Sequence, residues 1–487
     1  MQFSAAALAP VSRLSAKGTT IKATIMFRMR PPRVAGPIID CLFMAVYGRL
    51  WPPANVCHGH NFALVYCLSR ETYGRHEALR KTVRRRWGDA LGRVLWALLL
   101  AGGLAGCAAA IARNPVPASL EGDVEVVGMG PAPIRFWGDQ LPPNADALVK
   151  EKWAQVRANR PELIAGGRRP VVNFLALSGG GSDGAFGAGI LAGWTASGKR
   201  PEFDLVTGVS TGALTAPFAF LGPRYDEALK KVFTESNTKD IAIMQPVRGL
   251  LGGDSLASNA PLAKVVAFYV NDAFLAEVAD EHRKGRRLLI GTTNLDAERP
   301  VIWDMGQIAV SGRPEALELF RKVLLASAAI PAVFPPGFVK VAAGGAVYDE
   351  MHVDGGATRE VFLVPTQFMA KKTDGRLGIN PIRRAYIIRN GHVAPEYKAV
   401  KAKTLSIAGR AVSSLIKSQG VGDLYELYVF SKANGIDYNL AYIPADFHDT
   451  STQAFDPVYM TKLYDLGFSM AEAGYRWKKV PPRMAGH

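Results

Sequence analysis

Cysteine is scarce in this chain of 487 residues. Its four cysteines are Cys41, Cys57, Cys67 and Cys107, and none of them lies between residues 170 and 365, where the most informative motifs occur. A disulfide framework and a cysteine-based zinc cluster are therefore excluded for that region. The chain also contains no internal repeats and no low-complexity tracts.

Acidic residues are also few, with 42 Asp and Glu against 58 Lys and Arg, for a net charge of +16. Residues 1–106 hold 15 of the basic and 4 of the acidic residues, a net of +11, so that the remainder carries only +5. The basic character belongs mainly to the N-terminal part. The sequence therefore gives little support to nucleic-acid binding.

The stretch around Ser210 carries the strongest functional signal. An apolar run over residues 203–209 ends in Gly208-x-Ser210-x-Gly212 and passes directly into a helix-compatible run. This pattern is typical of a nucleophile elbow, in which a strand turns sharply into a helix and exposes the serine hydroxyl. The glycines on either side are needed because a Cβ there would clash as strand and helix approach each other. The following helix N-terminus favours a developing oxyanion.

A glycine-rich loop precedes this motif by about thirty residues. The apolar run 171–178 leads into Gly179, Gly180 and Gly181, and Gly184 follows before a small-residue helix. Such a strand–loop–helix unit presents free backbone N–H groups that bind negative charge. The spacing also matches a dinucleotide fingerprint, but the acidic residue that this motif requires, Asp204, opens the next apolar run instead of closing it. A P-loop is excluded because no Lys-Ser or Lys-Thr follows, and a loop that serves packing alone stays open.

A base for Ser210 is harder to find among the histidines. Of the eight, His58, His60 and His76 lie in the N-terminal region, His487 ends the chain, and His282, His352, His392 and His448 lack a glycine- or turn-rich setting. His282 falls in a charged run that predicts a solvated helix end.

His352 would share a strand face with Asp354 and is the best histidine alternative. The simplest base is Asp354 itself, which precedes Gly355 and Gly356. Ser210 and Asp354 would then form a Ser–Asp dyad without a histidine.

These three blocks together resemble the patatin-like phospholipase family: a glycine-rich oxyanion loop, a Gly-x-Ser-x-Gly nucleophile and an Asp-Gly-Gly segment. A fourth block, residues 326–336, resembles a stretch found before the family's aspartate. Their order and spacing agree over residues 170–365. The resemblance implies an α/β fold, with a three-layer sheet core and helices on both faces. It also implies hydrolysis of lipid acyl esters without a metal or another cofactor.

Carried over by position, the resemblance makes Ser210 the nucleophile and Asp354 the base. The backbone N–H groups of Gly180 and Gly181 would form the oxyanion hole, with Gly179 shaping the turn. One position departs from the family pattern. Where the family often has Arg or Lys just before the last glycine of the loop, this chain has Asp183. This substitution leaves a phospholipid preference open, while ester hydrolysis is still expected.

The expected function is therefore that of a lipid acyl hydrolase of the phospholipase A, lysophospholipase or esterase type, acting through an acyl-enzyme. Two other classes stay open. A non-catalytic acyl-lipid-binding membrane protein would keep the pocket and lose the chemistry. A dinucleotide-binding oxidoreductase is disfavoured by the position of Asp204. Headgroup, chain length and oligomeric state do not follow from the sequence.

The N-terminal part predicts a membrane location. Three arginines at 84–86 precede the apolar stretch 94–104, and Leu104-Ala-Gly-Cys107 resembles the lipobox of bacterial lipoproteins. Residues 83–106 are thus expected to be a lipoprotein signal peptide, and Cys107 to carry the lipid at the periplasmic face of a membrane. The alternatives are a single transmembrane anchor that continues through residues 108–112, or a buried helix. A net charge of +5 in the remainder would suit anionic headgroups.

Because a signal peptide should begin near the start of a chain, residues 1–82 are expected to be a gene-model extension or a disordered segment. Residues 107–165 are expected to be a tether with a lead-in helix over 146–160. Residues 170–370 are expected to be the catalytic core. The apolar runs in this core predict strands at 171–177, 203–209, 287–292 and 359–364. Residues 371–487 are expected to complete the same domain. In that part the sequence predicts a strand at 384–389, a helix pair over 404–427 broken at Gly420-x-Gly422, and a strand over 437–443.

Overall fold

A computed structural model describes residues 96, 113–165, 169–245, 253–364, 380–449, 451, 453, 455–482 and 484. All of them belong to a unit that runs from Trp96 to His487. The predictions for residues 1–82 and 83–106, and for Cys107 as a lipidation site, lie outside the described residues.

Twelve strands occur in the described part of the chain. They are β1 (Glu125–Val126), β2 (Arg135–Trp137), β3 (Val171–Leu177), β4 (Leu205–Val209), β5 (Ile243–Met244), β6 (Ala257–Ser258), β7 (Arg287–Asn294), β8 (Arg299–Asp304), β9 (Gly337–Ala343), β10 (Ala346–Asp354), β11 (Ile382–Arg389) and β12 (Ile436–Tyr442).

Eleven α-helices accompany these strands in the same described residues. They are α1 (Ala145–Asn159), α2 (Gly184–Ala196), α3 (Thr211–Leu221), α4 (Asp226–Thr234), α5 (Thr238–Ile241), α6 (Ala260–Tyr269), α7 (Asp272–Arg283), α8 (Met305–Val310), α9 (Ala316–Ser327), α10 (Thr404–Asn434) and α11 (Pro457–Glu472).

Ten of the strands form one mixed sheet in the order β1-β9-β10-β7-β4-β3-β11-β12, with β8 paired to β7 and β2 paired to β8. Its centre is parallel, because β7, β4, β3, β11 and β12 all run in one direction. Strands β10, β9 and β8 join this centre in antiparallel pairs. When parallel strands are joined by helices, the loops at the carboxyl ends of the strands lie along one edge of the sheet. The ligand-binding and catalytic sites of α/β proteins are found at this edge.

Helices cover both faces of this sheet. On one face, Leu175 and Leu177 of β3 pack into a large apolar cluster with residues of α2, α3, α9 and α11. Ala176, which alternates with them, packs on the other face against Leu424 and Leu427 of α10. Helix α1 lies on this second face as well, through Trp153. The chain is therefore a mixed α/β protein with a central sheet between two helical layers, and this confirms the predicted fold class.

The predicted strand at 359–364 is wrong. Val361, Phe362 and Leu363 are buried, yet this segment is a loop. Its backbone bonds to side chains instead of a neighbouring strand: the Asp423 carboxylate accepts from Glu360 N–H at 2.7 Å and from Val361 N–H at 3.2 Å. An apolar run signals burial, and these side-chain partners remove the need for a strand.

The predicted break in the helix pair over 404–427 is also wrong, because α10 runs without interruption from Thr404 to Asn434. Gly420 is required by packing and not by a bend. A Cβ at this position would lie 2.8 Å from Cγ of Glu360. A glycine inside a helix lowers its intrinsic stability by about 1 kcal/mol, and tertiary packing offsets that cost here.

Candidate functional site

Ser210 lies in a strained turn between β4 and α3. Its backbone has φ 55° and ψ −124°, which is rare for a residue with a side chain. The flanking glycines permit the close approach of strand and helix. A Cβ at Gly208 would lie 2.4 Å from the carbonyl oxygen of Gly212, and one at Gly212 would lie 2.3 Å from that of Leu177. The segment therefore has the geometry expected of a nucleophile elbow.

Ser327, the last residue of α9, holds this turn in place. Its hydroxyl accepts a hydrogen bond from Ser210 N–H at 3.0 Å and donates one to the carbonyl of Gly291 at 2.6 Å. Ser327 is fully buried. It belongs to the block 326–336 that resembles a family motif, so the sequence contained a signal for this region, although not for this contact.

Asp354 reaches Ser210 because of the strand pairing along β7. Strand β4 pairs with β7 up to Val209 opposite Gly291, and β10 then takes the next position with Asp354 opposite Thr292. The end of β4 and the end of β10 thus meet on the same strand. The Ser210 side chain lies close enough to the Asp354 carboxyl group to lower its pKa. The sheet brings together two residues that lie 144 positions apart in the sequence.

The Asp354 carboxyl group is fully buried, and burial raises its pKa to about 7. The negative charge of nearby Glu360 raises this pKa as well, whereas the Ser210 side chain and the hydrogen bond from Gly356 N–H oppose the rise. The Gly356 bond measures 2.8 Å. A carboxylate is ordinarily a weak base, and a pKa near neutrality makes it a stronger proton acceptor.

The glycine loop begins where β3 ends. Gly180 has φ +155° and Gly181 has φ +57°, and a Cβ on Gly180 would lie 2.0 Å from the carbonyl oxygen of Asn390. Gly181 lines the same cavity as Ser210. Within the described residues, neither Gly180 N–H nor Gly181 N–H donates a hydrogen bond to the protein backbone. Free N–H groups facing a serine nucleophile are what an oxyanion hole requires.

A buried network of charged and polar side chains packs against the glycine loop. The Glu360 carboxylate accepts a hydrogen bond from Arg389 at 2.6 Å, and the same guanidinium donates to the Ser178 hydroxyl at 3.2 Å. A Cβ on Gly179 would lie 2.8 Å from Oε1 of Glu360, and one on Gly356 would lie 2.3 Å from Oε2. Glu360 therefore lies between the glycine loop and the Asp354 segment.

No sequence motif pointed to Glu360, which lies six residues after Asp354.

An apolar cavity opens beside Ser210. Leu214, Phe233, Ile330 and Phe334 are among its lining residues. Small-molecule sites commonly have such a lining with few polar groups.

Residues from the C-terminal part of the chain close one side of this cavity. Phe455 and Met460 line it, and Phe455 N–H donates a hydrogen bond to the Ser182 hydroxyl at 2.9 Å. Asp183, at the position that departs from the family pattern, accepts a hydrogen bond from the Tyr459 hydroxyl at 2.7 Å. Burial raises the pKa of Asp183 to about 6. Asp183 thus ties the glycine loop to α11, and no sequence motif pointed to this contact.

His352, the histidine alternative, is fully buried with both ring nitrogens engaged elsewhere. Nδ1 lies 3.0 Å from the Thr292 hydroxyl, and Nε2 lies 3.0 Å from the Glu350 carboxylate. Burial lowers the pKa of His352. These partners make His352 part of a structural network instead of a partner for Ser210.

The predicted solvated position of His282 is wrong. The residue lies in the last turn of α7 but is only 1% exposed, with Nδ1 3.6 Å from Asp304. Burial lowers its pKa to about 3. The charged run around it predicted exposure, yet one face of α7 packs on the core, and a Cβ on Gly306 would lie 2.1 Å from the His282 ring.

Asp204, the residue weighed for a ribose, has its carboxylate occupied by the protein. It accepts a hydrogen bond from Arg160 at 2.8 Å and another from Asn173 N–H at 2.8 Å. It also lies just before β4, at the opposite end of that strand from Ser210. The dinucleotide alternative therefore gains no support from the geometry.

The described residues contain no group of three or more His, Cys, Asp or Glu side chains that could hold a metal ion. None of their helices is long and apolar enough to cross a lipid bilayer.

Residues 175–365 match the model of a family described as patatin-like phospholipase. No curated protein matches the chain. Among solved structures, the crystal structure of VipD from Legionella pneumophila has 11% sequence identity and a TM-score of 0.31, over 63% of this chain and 67% of that one.

Proposed function

We propose that this chain, which belongs to the patatin-like phospholipase family through residues 175–365, hydrolyses lipid acyl esters with Ser210 as nucleophile and Asp354 as base. The family itself indicates lipid acyl hydrolysis in general terms. The observation that carries the finer proposal is that Ser210 lies in a strained turn beside the buried Asp354 carboxyl group and lowers the pKa of that group. The substrate class is an acyl ester of the phospholipase A, lysophospholipase or esterase type.

The reaction begins with the acyl chain in the cavity beside Ser210. The Asp354 carboxylate accepts the Ser210 proton while Oγ forms a bond to the ester carbonyl carbon. The resulting oxyanion is stabilised by the N–H groups of Gly180 and Gly181, with Gly179 fixing the start of the turn. Collapse of this intermediate breaks the ester C–O bond, and the proton on Asp354 passes to the departing alcohol.

Water then cleaves the acyl-enzyme. Asp354, again ionised, accepts a proton from the attacking water, and the tetrahedral intermediate releases the fatty acid and regenerates the Ser210 hydroxyl. One carboxylate serves both half-reactions. Its raised pKa matters here, because a carboxylate of ordinary pKa would accept the serine proton less readily.

The decisive experiment combines an active-serine phosphonate probe with turnover of p-nitrophenyl esters. We expect wild-type protein to be labelled and active, Ser210→Ala to be neither, and Asp354→Asn to lose activity by orders of magnitude. His352→Ala is the test of the histidine alternative. Full activity in Asp354→Asn together with loss in His352→Ala would refute the dyad.

The same experiment separates the other function classes. Labelling of Ser210 without turnover of any ester would indicate a degenerate enzyme. Absence of both labelling and turnover would favour a non-catalytic acyl-lipid-binding protein.

We also propose that the lipid substrate is met at a membrane to which Cys107 is anchored. The basis is the sequence alone: three arginines, an apolar stretch and the Leu-Ala-Gly-Cys motif. Metabolic labelling of the native protein with an alkyne fatty acid should modify the wild type and not Cys107→Ser. Equal labelling of both would disprove the anchor.

A further inference from the structure

A second cavity lies far from Ser210, between α1 and the sheet. It has a volume of about 160 Å³ and is lined mainly by apolar side chains, among them Leu148, Trp153, Phe174, Leu205 and Leu289. Its sheet residues lie near the amino ends of β3, β4 and β7, whereas Ser210 follows the carboxyl end of β4. The cavity is therefore separate from the proposed catalytic site.

Charged groups at this cavity are mostly positive: Lys152, Arg287 and Arg383 line it together with a single carboxylate, Asp304. Arg287 already has partners, since its guanidinium donates to Gln155 at 2.9 Å and lies 3.9 Å from Asp304. The lining thus has more positive than negative charge, although it is apolar over most of its surface.

Lys152 is the charged group that this cavity leaves unpaired. Across the described part of the chain, its ammonium group has neither a hydrogen bond nor an ion pair, and it lies 5.9 Å from the centroid of the Phe174 ring. Lys152 is half-buried, and burial lowers its pKa to about 8, while the more distant negative charge of Asp204 opposes this shift. A half-buried ammonium without a paired carboxylate would be stabilised by a bound anion.

We propose that this cavity binds a single-chain fatty-acid anion, with its alkyl chain among the apolar side chains and its carboxylate paired with Lys152. One carboxylate suits one unpaired ammonium, and an unbranched alkyl chain suits a lining with few polar groups. Binding at this site does not require catalysis at Ser210. If the proposed function holds, a site of this kind would let the protein retain or sense free fatty acid away from the catalytic site at Ser210 that releases it.

The test is isothermal titration of the full-length protein with dodecanoate below its micelle concentration, and with dodecan-1-ol as the uncharged analogue. Lys152→Met removes the cation and keeps the length of the side chain. Lys150→Met on the same helix is the matched control, because Lys150 is exposed and does not line the cavity. Leu214→Trp blocks the cavity beside Ser210 instead. p-Nitrophenyl ester turnover of Lys152→Met shows whether the catalytic site is intact.

We expect Lys152→Met to weaken dodecanoate binding about tenfold or more and to leave dodecan-1-ol binding unchanged. Lys150→Met and Leu214→Trp should bind dodecanoate like the wild type, and ester turnover of Lys152→Met should be unchanged. If Lys152→Met fails to fold, Lys152→Gln with Lys152→Arg as the charge-retaining variant gives the same comparison. Dodecanoate binding that is absent in the wild type, unaffected at position 152, or lost in Leu214→Trp would overturn the proposal.

Discussion

The hydroxyl of Ser327 accepts a hydrogen bond from the backbone N–H of Ser210, at 3.0 Å. Through its second bond, to the carbonyl of Gly291 on β7, this side chain ties the turn that carries Ser210 to the strand along which β4 and β10 meet. A strained backbone conformation persists only where its surroundings enforce it. Ser327 is one such restraint, and it acts on the backbone of the proposed nucleophile.

Ser327→Ala should therefore lower kcat more than it changes KM. Loss of one buried hydrogen bond costs about 1–2 kcal/mol, which corresponds to roughly a five- to thirtyfold fall in rate if the turn relaxes. Steady-state kinetics with a p-nitrophenyl ester provide the measurement. Ser413→Ala on the exposed face of α10 is the control and should behave like the wild type. A Ser327→Ala enzyme with unchanged kcat would show that the turn does not need this restraint.

Glu360→Gln should shift the pH dependence of the reaction. Because Asp354 must be ionised to accept a proton, activity is expected to fall as pH decreases through about 7. The Glu360 charge raises the pKa of Asp354, so its removal should move this acidic limb to lower pH. The measurement is the pH profile of kcat/KM.

A matched control for this shift is Glu426→Gln, which breaks the partly exposed ion pair with Arg359. We expect its pH profile to follow that of the wild type. An acidic limb that stays in place in Glu360→Gln would mean that Glu360 does not set the pKa of Asp354.

Asp354→Asn should stabilise the protein at alkaline pH while it abolishes most activity. The pKa of Asp354 is about 7 in the folded protein against an ordinary 3.8, so the folded state holds a proton that the unfolded chain releases between these values. The contribution of the Asp354 carboxyl group to the free energy of unfolding is fully present below about pH 4. It is lost as pH rises through about 7. The gain in the free energy of unfolding from Asp354→Asn should therefore reach at most about 4 kcal/mol at pH 8 and be smaller at pH 5.

Urea unfolding at the two pH values measures this difference. Asp349→Asn is the contrasting variant, since a hydrogen bond from Lys340 lowers the pKa of Asp349 and the substitution should bring no gain. An Asp354→Asn protein that is less stable than the wild type at pH 8 would contradict the expected sign.

Leu214→Trp should change the chain-length preference of the enzyme. Leu214 lines the cavity beside Ser210, and a larger side chain would fill the space that a long acyl chain needs. We expect kcat/KM to fall for p-nitrophenyl decanoate and to be nearly unchanged for the acetate ester. Leu415→Trp on the exposed surface of α10 is the control for an added indole. An equal fall in kcat/KM for both esters would indicate damage to the proposed catalytic site instead of a change in chain-length preference.

Much of the candidate site could be predicted from the sequence because its parts are local. A turn with Gly208 and Gly212 around Ser210, and a glycine loop after an apolar strand, are conformations that neighbouring residues dictate through sterics. The predicted strand at 171–177 coincides with β3 for the same reason. By contrast, the segment 359–364 and the helix around Gly420 were predicted wrongly, because their backbone partners lie on distant elements.

By itself, the sequence determined the α/β class, the turn that presents Ser210, and the candidates Asp354 and Gly179 to Gly181. Only the tertiary structure decided how they act together. The register of β4 and β10 along β7 brings Asp354 to Ser210, and burial beside Glu360 raises its pKa. The tertiary structure also engages both ring nitrogens of His352 elsewhere, so this histidine is not available as a base for Ser210. It leaves Lys152 without an ion pair in an apolar cavity. Distances and desolvation depend on which strands become neighbours, and that information is not local in the chain.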